Sequence, residues 1–394
     1  MRLGKRAKVP DKRVFFHVGA PKTGTTYLQN VLFANRDTLA KEGVLYPYAD
    51  AGQSFRSMLD FRDSTWAGSR PGQFAGEWDA VAGRTRDWKG HTVIISNELL
   101  GGSSPDRIAA GVASVRPAEV HVIFSARDFA RQLVSDWQEH IKHKHTVTLE
   151  KFVDDLVELG LDAPEPFGEL FWGMHDAAHV LKLWETVVPP ADIHVVTVPH
   201  PGAPVDTLWR RFCSVTGLDP DRYESESAPA NPSMGVAETE LVRRMNLEVR
   251  GMSVEIYDPL VRRLLAGDIL GGQSPKLMLP TSRMDWACQR SRQLIEGLRE
   301  AGYAVEGDLE ELMPRPADHA AYISPTEQSD ADLGDAAVRA STGLLRHSGR
   351  QRRRIIELQR EVKELQPRPL GRLRRGYLRS RRFTGKALRR THLR

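Results

Sequence analysis

Four short runs of β-branched and aromatic residues alternate along the chain with longer stretches in which apolar residues recur at helical spacing. The runs cover residues 13–19, 91–96, 119–126 and 192–198. Turn residues or helix-start signals bound each run, as is typical of buried parallel strands. The helical stretches between them cover residues 26–43, 105–115, 128–143 and 176–188. This alternation predicts an α/β fold with a doubly wound, mostly parallel sheet flanked by helices.

The rest of the chain predicts more helices and one loop. Residues 50–76 are rich in Gly and Ser with isolated aromatic residues, which indicates a loop or lid. After a proline turn, helical spacing returns in three stretches, which are the part before Gly217, residues 231–249 and residues 283–303. The C-terminal part is therefore predicted to be helical.

The pattern of elements divides the chain into four regions. Residues 1–12 form a basic extension, and residues 13–325 are predicted to be one domain. Residues 326–366 form a linker and helix, in which 355–366 come close to a heptad seam but span less than the two heptads that would suggest a coiled coil. Residues 367–394 are predicted to be a disordered basic tail.

The charge is distributed unevenly between the body and the C-terminus. Residues 346–394 hold 18 Lys and Arg against 3 Asp and Glu, a net charge of +15, whereas residues 1–345 carry a net charge of −10. Only two cysteines, Cys213 and Cys288, are present, which favours a reducing, cytoplasmic setting. The N-terminus lacks the apolar core of a signal peptide, and no apolar run reaches the roughly 20 residues of a membrane span.

A glycine-containing turn between the first strand and the first helix nearly fits the phosphate-binding pattern G-x-x-x-x-G-K-[ST]. Gly19, Gly24 and Thr26 occupy the expected positions, but Thr25 stands where the lysine belongs and Lys22 lies earlier in the turn. Such a loop surrounds phosphate oxygens with backbone amides at a helix N-terminus. The fold is thus expected to be P-loop-like. Its loop differs from the usual pattern in that the lysine lies three residues earlier, at Lys22.

The string APKTGTTYLQ at residues 20–29 resembles the 5′-phosphosulfate loop of sulfotransferases that use 3′-phosphoadenosine 5′-phosphosulfate (PAPS). Among these enzymes, the chain most resembles the bacterial type. The matching residues are Pro21, Lys22, Thr23, Gly24, Thr25, Thr26 and Leu28. The resemblance implies that Lys22 holds the sulfonate and stabilises charge on the leaving phosphate oxygen, while Thr25 and Thr26 bind the 5′-phosphate. The alternative is a strand-turn-helix whose Gly and Thr only cap the helix.

A second anion site is indicated by Arg127, at the end of the third long run, and Ser135, eight residues later. If Asp128 begins the next helix, Ser135 lies about two turns into it and both side chains can converge on one anion. This pair resembles the 3′-phosphate motif of the same family. The usual Arg-Asn-Pro opening is here Arg127, Asp128 and Phe129, so Asp128 could instead pair with Arg127.

A general base is expected at the carboxyl end of a strand, since an attacking hydroxyl must lose a proton. Glu98 follows the second long run, and the resemblance implies a base in such a position; the alternative is a carboxylate at a helix start. The rival bases are His140, His143 and His145, whose spacing also suggests a metal pair, although solvated positions at a helix end are the favoured interpretation. His17, within the first strand, is interpreted as a histidine of the core or one that supports a side chain of the site.

These features together predict a PAPS-dependent sulfotransferase that modifies a hydroxyl of a carbohydrate or glycolipid, releases 3′-phosphoadenosine 5′-phosphate (PAP) and needs no metal. The alternatives are a P-loop small-molecule kinase that uses ATP and magnesium, and a non-enzymatic adaptor that binds anionic partners through its tail. The basic tail could attract nucleic acid, anionic lipid headgroups or an acidic polysaccharide. Its only two aromatic residues, Tyr377 and Phe383, are too few to stack bases, whereas leucines among the arginines favour an anionic membrane surface at the inner face. The alternative is a solvated, flexible extension.

Overall fold

The computed structural model describes residues 12–66, 69–225, 233–315 and 322–365. The described residues belong to two compact units, which divide between Ala337 and Val338. Nearly all of the predicted N-terminal extension and all of the predicted tail, residues 367–394, lie outside the described residues. The first unit contains the sheet.

Within the described residues the sheet has six strands, all parallel. They are β1 (Arg13–His17), β2 (Val44–Leu45), β3 (Thr92–Ser96), β4 (Glu119–Ala126), β5 (Ile193–Thr197) and β6 (Ala304–Glu306). Their spatial order is β2-β3-β1-β4-β5-β6, with parallel pairing throughout. Strands β3 and β2 therefore lie on one side of β1, and β4, β5 and β6 lie on the other. The predicted α/β fold with a parallel sheet is confirmed.

The central strand β1 lies in the core of the unit. Phe15 pairs in register with Ile94 of β3 on one side and with His121 of β4 on the other. Val14 and Phe16 are fully buried, as expected for a strand that is covered on both faces. Because the strand order reverses at β1, the carboxyl end of β1 is the position at which open α/β sheets bind ligands.

Helices connect the strands and follow the last of them along the chain. They are α1 (Thr25–Ala34), α2 (Arg36–Lys41), α3 (Ala51–Arg62), α4 (Glu77–Asp87), α5 (Pro105–Ser114), α6 (Phe129–Lys142), α7 (Leu149–Leu159), α8 (Phe167–His175), α9 (Ala177–Trp184), α10 (Thr207–Thr216), α11 (Val236–Glu248), α12 (Val254–Tyr257), α13 (Met284–Ala301) and α14 (Asp330–Leu365). A π-helical segment, Asp258–Ile269, follows α12. The predicted helical C-terminal part is present.

The prediction of a loop at residues 50–76 is wrong for the first half of this region, which forms α3. Asp50 accepts a hydrogen bond from the backbone N–H of Gln53 at 2.7 Å and so caps α3, whose residues Met58 and Phe61 are buried. A capped, amphipathic helix offsets the low helix propensity of Gly and Ser at its start. The remaining described residues of this region form turns before α4.

The second unit contains the exposed part of α14 among its described residues. Ile355, Leu358 and Val362 of the predicted heptad seam are 44%, 42% and 54% exposed. The helix runs unbroken from Asp330 to Leu365, so the seam is the end of a much longer helix than its own sequence pattern indicated. In the part of the chain that the structure describes, no helix has the length and apolar character needed to cross a membrane.

Candidate functional site

The loop between β1 and α1 is fixed to the neighbouring strand β4. The backbone N–H of Ala20 donates to Ser125 O at 3.0 Å, and Ser125 N–H donates to Gly19 O at 2.7 Å. Gly24 has a φ of +89°, and a Cβ there would lie 2.5 Å from a methyl carbon of Leu208. The conformation therefore requires glycine at this position, as the loop pattern predicted.

The first turn of α1 has backbone amides that an anion can use. Among the described side chains none caps this helix, and its N-cap residue is Gly24. The Thr23 hydroxyl donates to Ala20 O at 2.6 Å, so it closes the loop. Thr25 is buried, whereas Thr26 is exposed at the helix start. A helix N-terminus with unpaired N–H groups attracts negative charge.

Lys22 lies at the tip of this loop in the left-handed region, with a φ of +63°. Its Nζ lies 2.9 Å from Oε2 of Glu139 in α6, and both side chains are about one third exposed, at 31% and 29%. Its carbonyl accepts a hydrogen bond from Nη1 of Arg127 at 2.9 Å. The displaced lysine thus contacts the helix that carries the second predicted anion site.

Arg127 and Ser135 meet as the sequence predicted. Arg127 Nη1 donates to Ser135 Oγ at 3.0 Å. Asp128 is the N-cap of α6, accepts from the Arg131 backbone N–H at 2.9 Å and forms an ion pair with the Arg131 side chain. Asp128 therefore pairs with Arg131, whereas the sequence had left open a pairing with Arg127. The same Arg127 nitrogen contacts the loop and the serine, so the two predicted anion sites are contiguous.

Glu98 lies where it was expected, immediately after β3. Asn97 connects this segment to β1 through a backbone hydrogen bond to His17 O at 3.1 Å. Oε2 of Glu98 accepts from Nε2 of Gln29 in α1 at 2.9 Å. Burial raises the pKa of Tyr46 well above its usual value, and the nearby Tyr48 and Glu98 raise it further. Glu98 is thus held against the helix that follows the loop.

The carboxylate that contacts Lys22 is Glu139, which the sequence interpretation missed. It lies four residues after Ser135, so α6 presents both on the same face. Nε2 of His143 and Nζ of Lys142 lie 3.4 and 3.7 Å from its carboxylate oxygens. Although burial favours protonation, His143, Lys22 and Lys142 together hold the pKa of Glu139 well below its ordinary value. The helical spacing from Ser135 was the signal that could have found it.

A buried polar network lies on the other side of the loop. Gln132 Nε2 donates to Pro21 O at 2.6 Å and also contacts Nδ1 of His175. Nε2 of His175 lies 3.1 Å from Oδ1 of Asp136. Burial alone would raise the pKa of Asp136, but His175 and His140 hold it well below its usual value. This network fixes a second loop carbonyl to α6.

The expectation that His140, His143 and His145 are solvated is wrong for His140. Its ring is buried against Phe167, at a centroid distance of 4.8 Å, and its Nε2 lies 3.3 Å from Oδ2 of Asp136. Burial, with the neighbouring histidines, lowers the pKa of His145 to about 4. The aromatic residues of α7 and α8 cover this end of α6, a contact between distant segments that local spacing cannot reveal.

His17 lies in the core beneath the strand ends, as predicted. Its Nδ1 is 2.8 Å from Ser96 Oγ of β3, and its Nε2 is 3.0 Å from Ser125 Oγ of β4. Burial lowers its pKa to about 4, so the ring is neutral at neutral pH. It connects the three central strands below the loop.

Other concave or ligand-like features lie away from this site. A cavity of about 400 Å³ is lined mostly by apolar residues near Val112 and Val188, and it shares no residue with the loop or α6. In the described part of the chain, one group of three side chains is close enough to share a metal, formed by Glu119, His121 and Asp192. The candidate site is therefore defined by its charged groups and not by this cavity.

Comparisons with known proteins give a limited result. No protein-family model and no curated protein matches the sequence. One solved structure, titled as a sulfotransferase from Alicyclobacillus acidocaldarius, is 14% identical and has a TM-score of 0.38; the match covers 63% of this chain and 95% of that one. An identity and a TM-score this low do not assign the chain to that protein's family or activity.

Proposed function

We propose that this protein is a sulfotransferase that moves the sulfuryl group of PAPS to a hydroxyl. The observation that carries the proposal is the position of Arg127, which donates to Ser135 Oγ at 3.0 Å and to the carbonyl of Lys22 at 2.9 Å. One guanidinium therefore joins the loop that would hold the phosphosulfate to the serine that would hold the 3′-phosphate. A donor with two separate anionic ends suits this arrangement.

Each of the two anion sites would bind one end of the donor. Lys22, Thr25, Thr26 and the first amides of α1 would bind the phosphosulfate, while Pro21, Thr23 and Gly24 shape the loop. Arg127 and Ser135 would bind the 3′-phosphate through charge-assisted hydrogen bonds. Lys22 would stabilise charge on the phosphate oxygen as the sulfur leaves.

Glu98 is the proposed base. The acceptor oxygen attacks sulfur, the bond between sulfur and the bridging phosphate oxygen breaks, and the hydroxyl proton passes to the Glu98 carboxylate, releasing PAP. Glu139 is a poor candidate for the base because the three surrounding basic groups lower its pKa. The Glu98 carboxylate lies at the carboxyl end of β3 and accepts a hydrogen bond from the amide of Gln29. The chemistry of the step is positioning and charge stabilisation.

The proposed acceptor is a carbohydrate or glycolipid hydroxyl, and the basic C-terminus would hold the protein at an anionic membrane surface. The supporting feature is the net charge of +15 over residues 346–394. Removing these residues should release the protein from vesicles that contain phosphatidylglycerol but leave PAP binding unchanged. Retention on the vesicles after truncation contradicts the membrane proposal.

Thermal unfolding with different nucleotides tests the donor. PAP without metal should raise the Tm of the wild type, since binding to the native state stabilises it. Lys22→Ala should abolish the shift and Arg127→Ala should reduce it, whereas the exposed controls Lys41→Ala and Arg299→Ala should retain it. Stabilisation by ATP with magnesium and not by PAP would establish the kinase alternative and reject the proposal.

A further inference from the structure

A large aromatic side chain lies exposed beside the candidate site. Trp66, in the connection after α3, is 47% exposed. Its backbone N–H donates to Ser69 Oγ at 2.8 Å, and the Ser69 N–H donates to Trp66 O at 2.9 Å. Its ring packs edge-on against Phe55, at a centroid distance of 5.8 Å. The contacts of Trp66 with Ser69 and Phe55 therefore hold it in place while leaving much of its side chain open to solvent.

A chain of side chains connects Trp66 to the loop lysine. The Trp66 ring meets His143 at a centroid distance of 5.3 Å and an interplanar angle of 87°. Nε2 of His143 lies 3.4 Å from Oε1 of Glu139, whose Oε2 lies 2.9 Å from Nζ of Lys22. Two side chains thus separate the indole from the ammonium that would hold the transferred group. Trp66 lies within the reach of an acceptor molecule.

The two groups between Trp66 and Lys22, and Lys142 beside Glu139, are polar and partly accessible. The side chains of His143, Glu139 and Lys142 are 27%, 29% and 18% exposed. Together they offer carboxylate oxygens as acceptors and an ammonium and imidazole as donors. Several hydrogen-bonding groups next to one aromatic surface suit a ligand that has both an apolar face and several hydroxyls.

We propose that Trp66, His143, Glu139 and Lys142 form the acceptor site and that it takes a pyranose ring. This inference rests on the proposed function and specifies its acceptor. The C–H face of the sugar packs on the indole, while ring hydroxyls bind the carboxylate of Glu139 and the donors of Lys142 and His143. A simple alcohol or phenol lacks the additional hydroxyls, so it makes fewer hydrogen bonds with these groups than a sugar does.

Saturation-transfer NMR on the PAP-loaded protein tests the site with defined probes. The probes are the methyl glycosides of glucose, galactose, mannose and N-acetylglucosamine, with cyclohexylmethanol as the non-sugar control. At least one glycoside should receive saturation at protons of one ring face, and cyclohexylmethanol should receive less. If none of the four glycosides binds, the inference is overturned.

Variants of Trp66 separate stacking from a general loss of structure. Trp66→Ala should weaken glycoside binding about tenfold, the equivalent of about 1.4 kcal/mol, and Trp66→Phe should restore part of it. Val205→Ala, which truncates a 91% exposed side chain in the connection between β5 and α10, should leave binding unchanged. Glycoside binding that survives in Trp66→Ala with its strength unaltered would reject the role of Trp66.

The stabilisation by PAP, measured on the same samples, distinguishes this inference from the proposed function. Stabilisation by PAP together with glycoside binding that depends on Trp66 supports both. Stabilisation by PAP without glycoside binding overturns the acceptor site alone. If PAP gives no stabilisation, the proposed function fails, and the acceptor site fails with it.

Discussion

Glu139 lies 2.9 Å from Lys22 although 117 residues separate them in the chain. The ion pair places a carboxylate on the one lysine that the loop would use for its anionic ligand. A donor that binds Lys22 must therefore compete with Glu139 for the ammonium. The relationship makes the affinity of the loop dependent on a residue of α6.

Glu139→Gln should tighten PAP binding, because an incoming phosphate no longer competes with a carboxylate for Lys22. The pair is partly exposed, so the gain should be modest, up to about fivefold in Kd. Isothermal titration calorimetry measures it, with Glu158→Gln as the control at an exposed ion pair with Arg283. Weaker binding would mean that Glu139 positions Lys22 instead of competing for it.

Glu98→Gln should leave the PAP affinity unchanged while lowering turnover by about 10²–10⁴, the usual contribution of a general base. The amide keeps the size of the side chain and its contact with Gln29 but cannot take up the proton. Sulfate transfer from labelled PAPS to a glycoside measures turnover. Turnover close to that of the wild type would move the role of base to another residue, with His143 as the next variant to test.

Gly24→Ala should destabilise the protein by about 1–3 kcal/mol, because its φ of +89° is strained for a residue with a Cβ. The added Cβ would also lie 2.5 Å from a Leu208 methyl carbon. Urea unfolding measures the free energy. Leu208→Ala removes the clash but is itself destabilising, because Leu208 is buried. Gly24→Ala should therefore be compared with its parent in the Leu208→Ala background, where it should still destabilise through the backbone strain. No further loss in that background would assign the whole effect to the clash.

The stability should fall as the pH drops from about 6.5 to about 4. Burial lowers the pKa of His17 to about 4 in the folded protein, whereas the unfolded chain titrates at the ordinary value of 6.5. The unfolded state therefore binds more protons in this window, and each lower pH favours it. For His17 alone the loss is on the order of 3 kcal/mol.

His17→Gln tests this source of the pH dependence, since glutamine retains hydrogen bonding to Ser96 and Ser125 without titrating. Urea unfolding between pH 4 and 7 should give a shallower slope for the variant than for the wild type. His145 and His194, whose pKa values are also lowered to about 4, should supply the slope that remains. Identical slopes in both proteins would show that His17 is not the group that titrates.

The sequence predicted the strands well because a buried parallel strand is a local signal. The four long strands are continuous apolar runs, whereas β2 and β6 have only two and three residues, too few to form a pattern. Helix α3 was missed because its Gly and Ser residues suggested a loop, while its stability depends on the Asp50 cap and on packing. Local composition cannot show packing.

The candidate site shows the same division. The loop glycines, Arg127 and Ser135 were found from the sequence because short spacings fix their relation. Glu139 and Gln132 were missed because their contacts with the loop join segments more than 100 residues apart. Helical spacing places Glu139 on the same face of α6 as Ser135, but it gives no sign of the contact with Lys22. Trp66 was interpreted as an isolated loop aromatic, and its importance follows only from its contact with His143.

The loop is shaped by its neighbours before an anion binds. Gln132 holds the carbonyl of Pro21, and Arg127 holds the carbonyl of Lys22, so two consecutive peptide groups are fixed to α6 and to the end of β4. A glycine-containing loop would otherwise lose considerable conformational entropy when it closes around a ligand. Much of that ordering is already complete in the folded protein. Less of the binding energy of an anion is therefore spent on ordering the loop, and the affinity is higher.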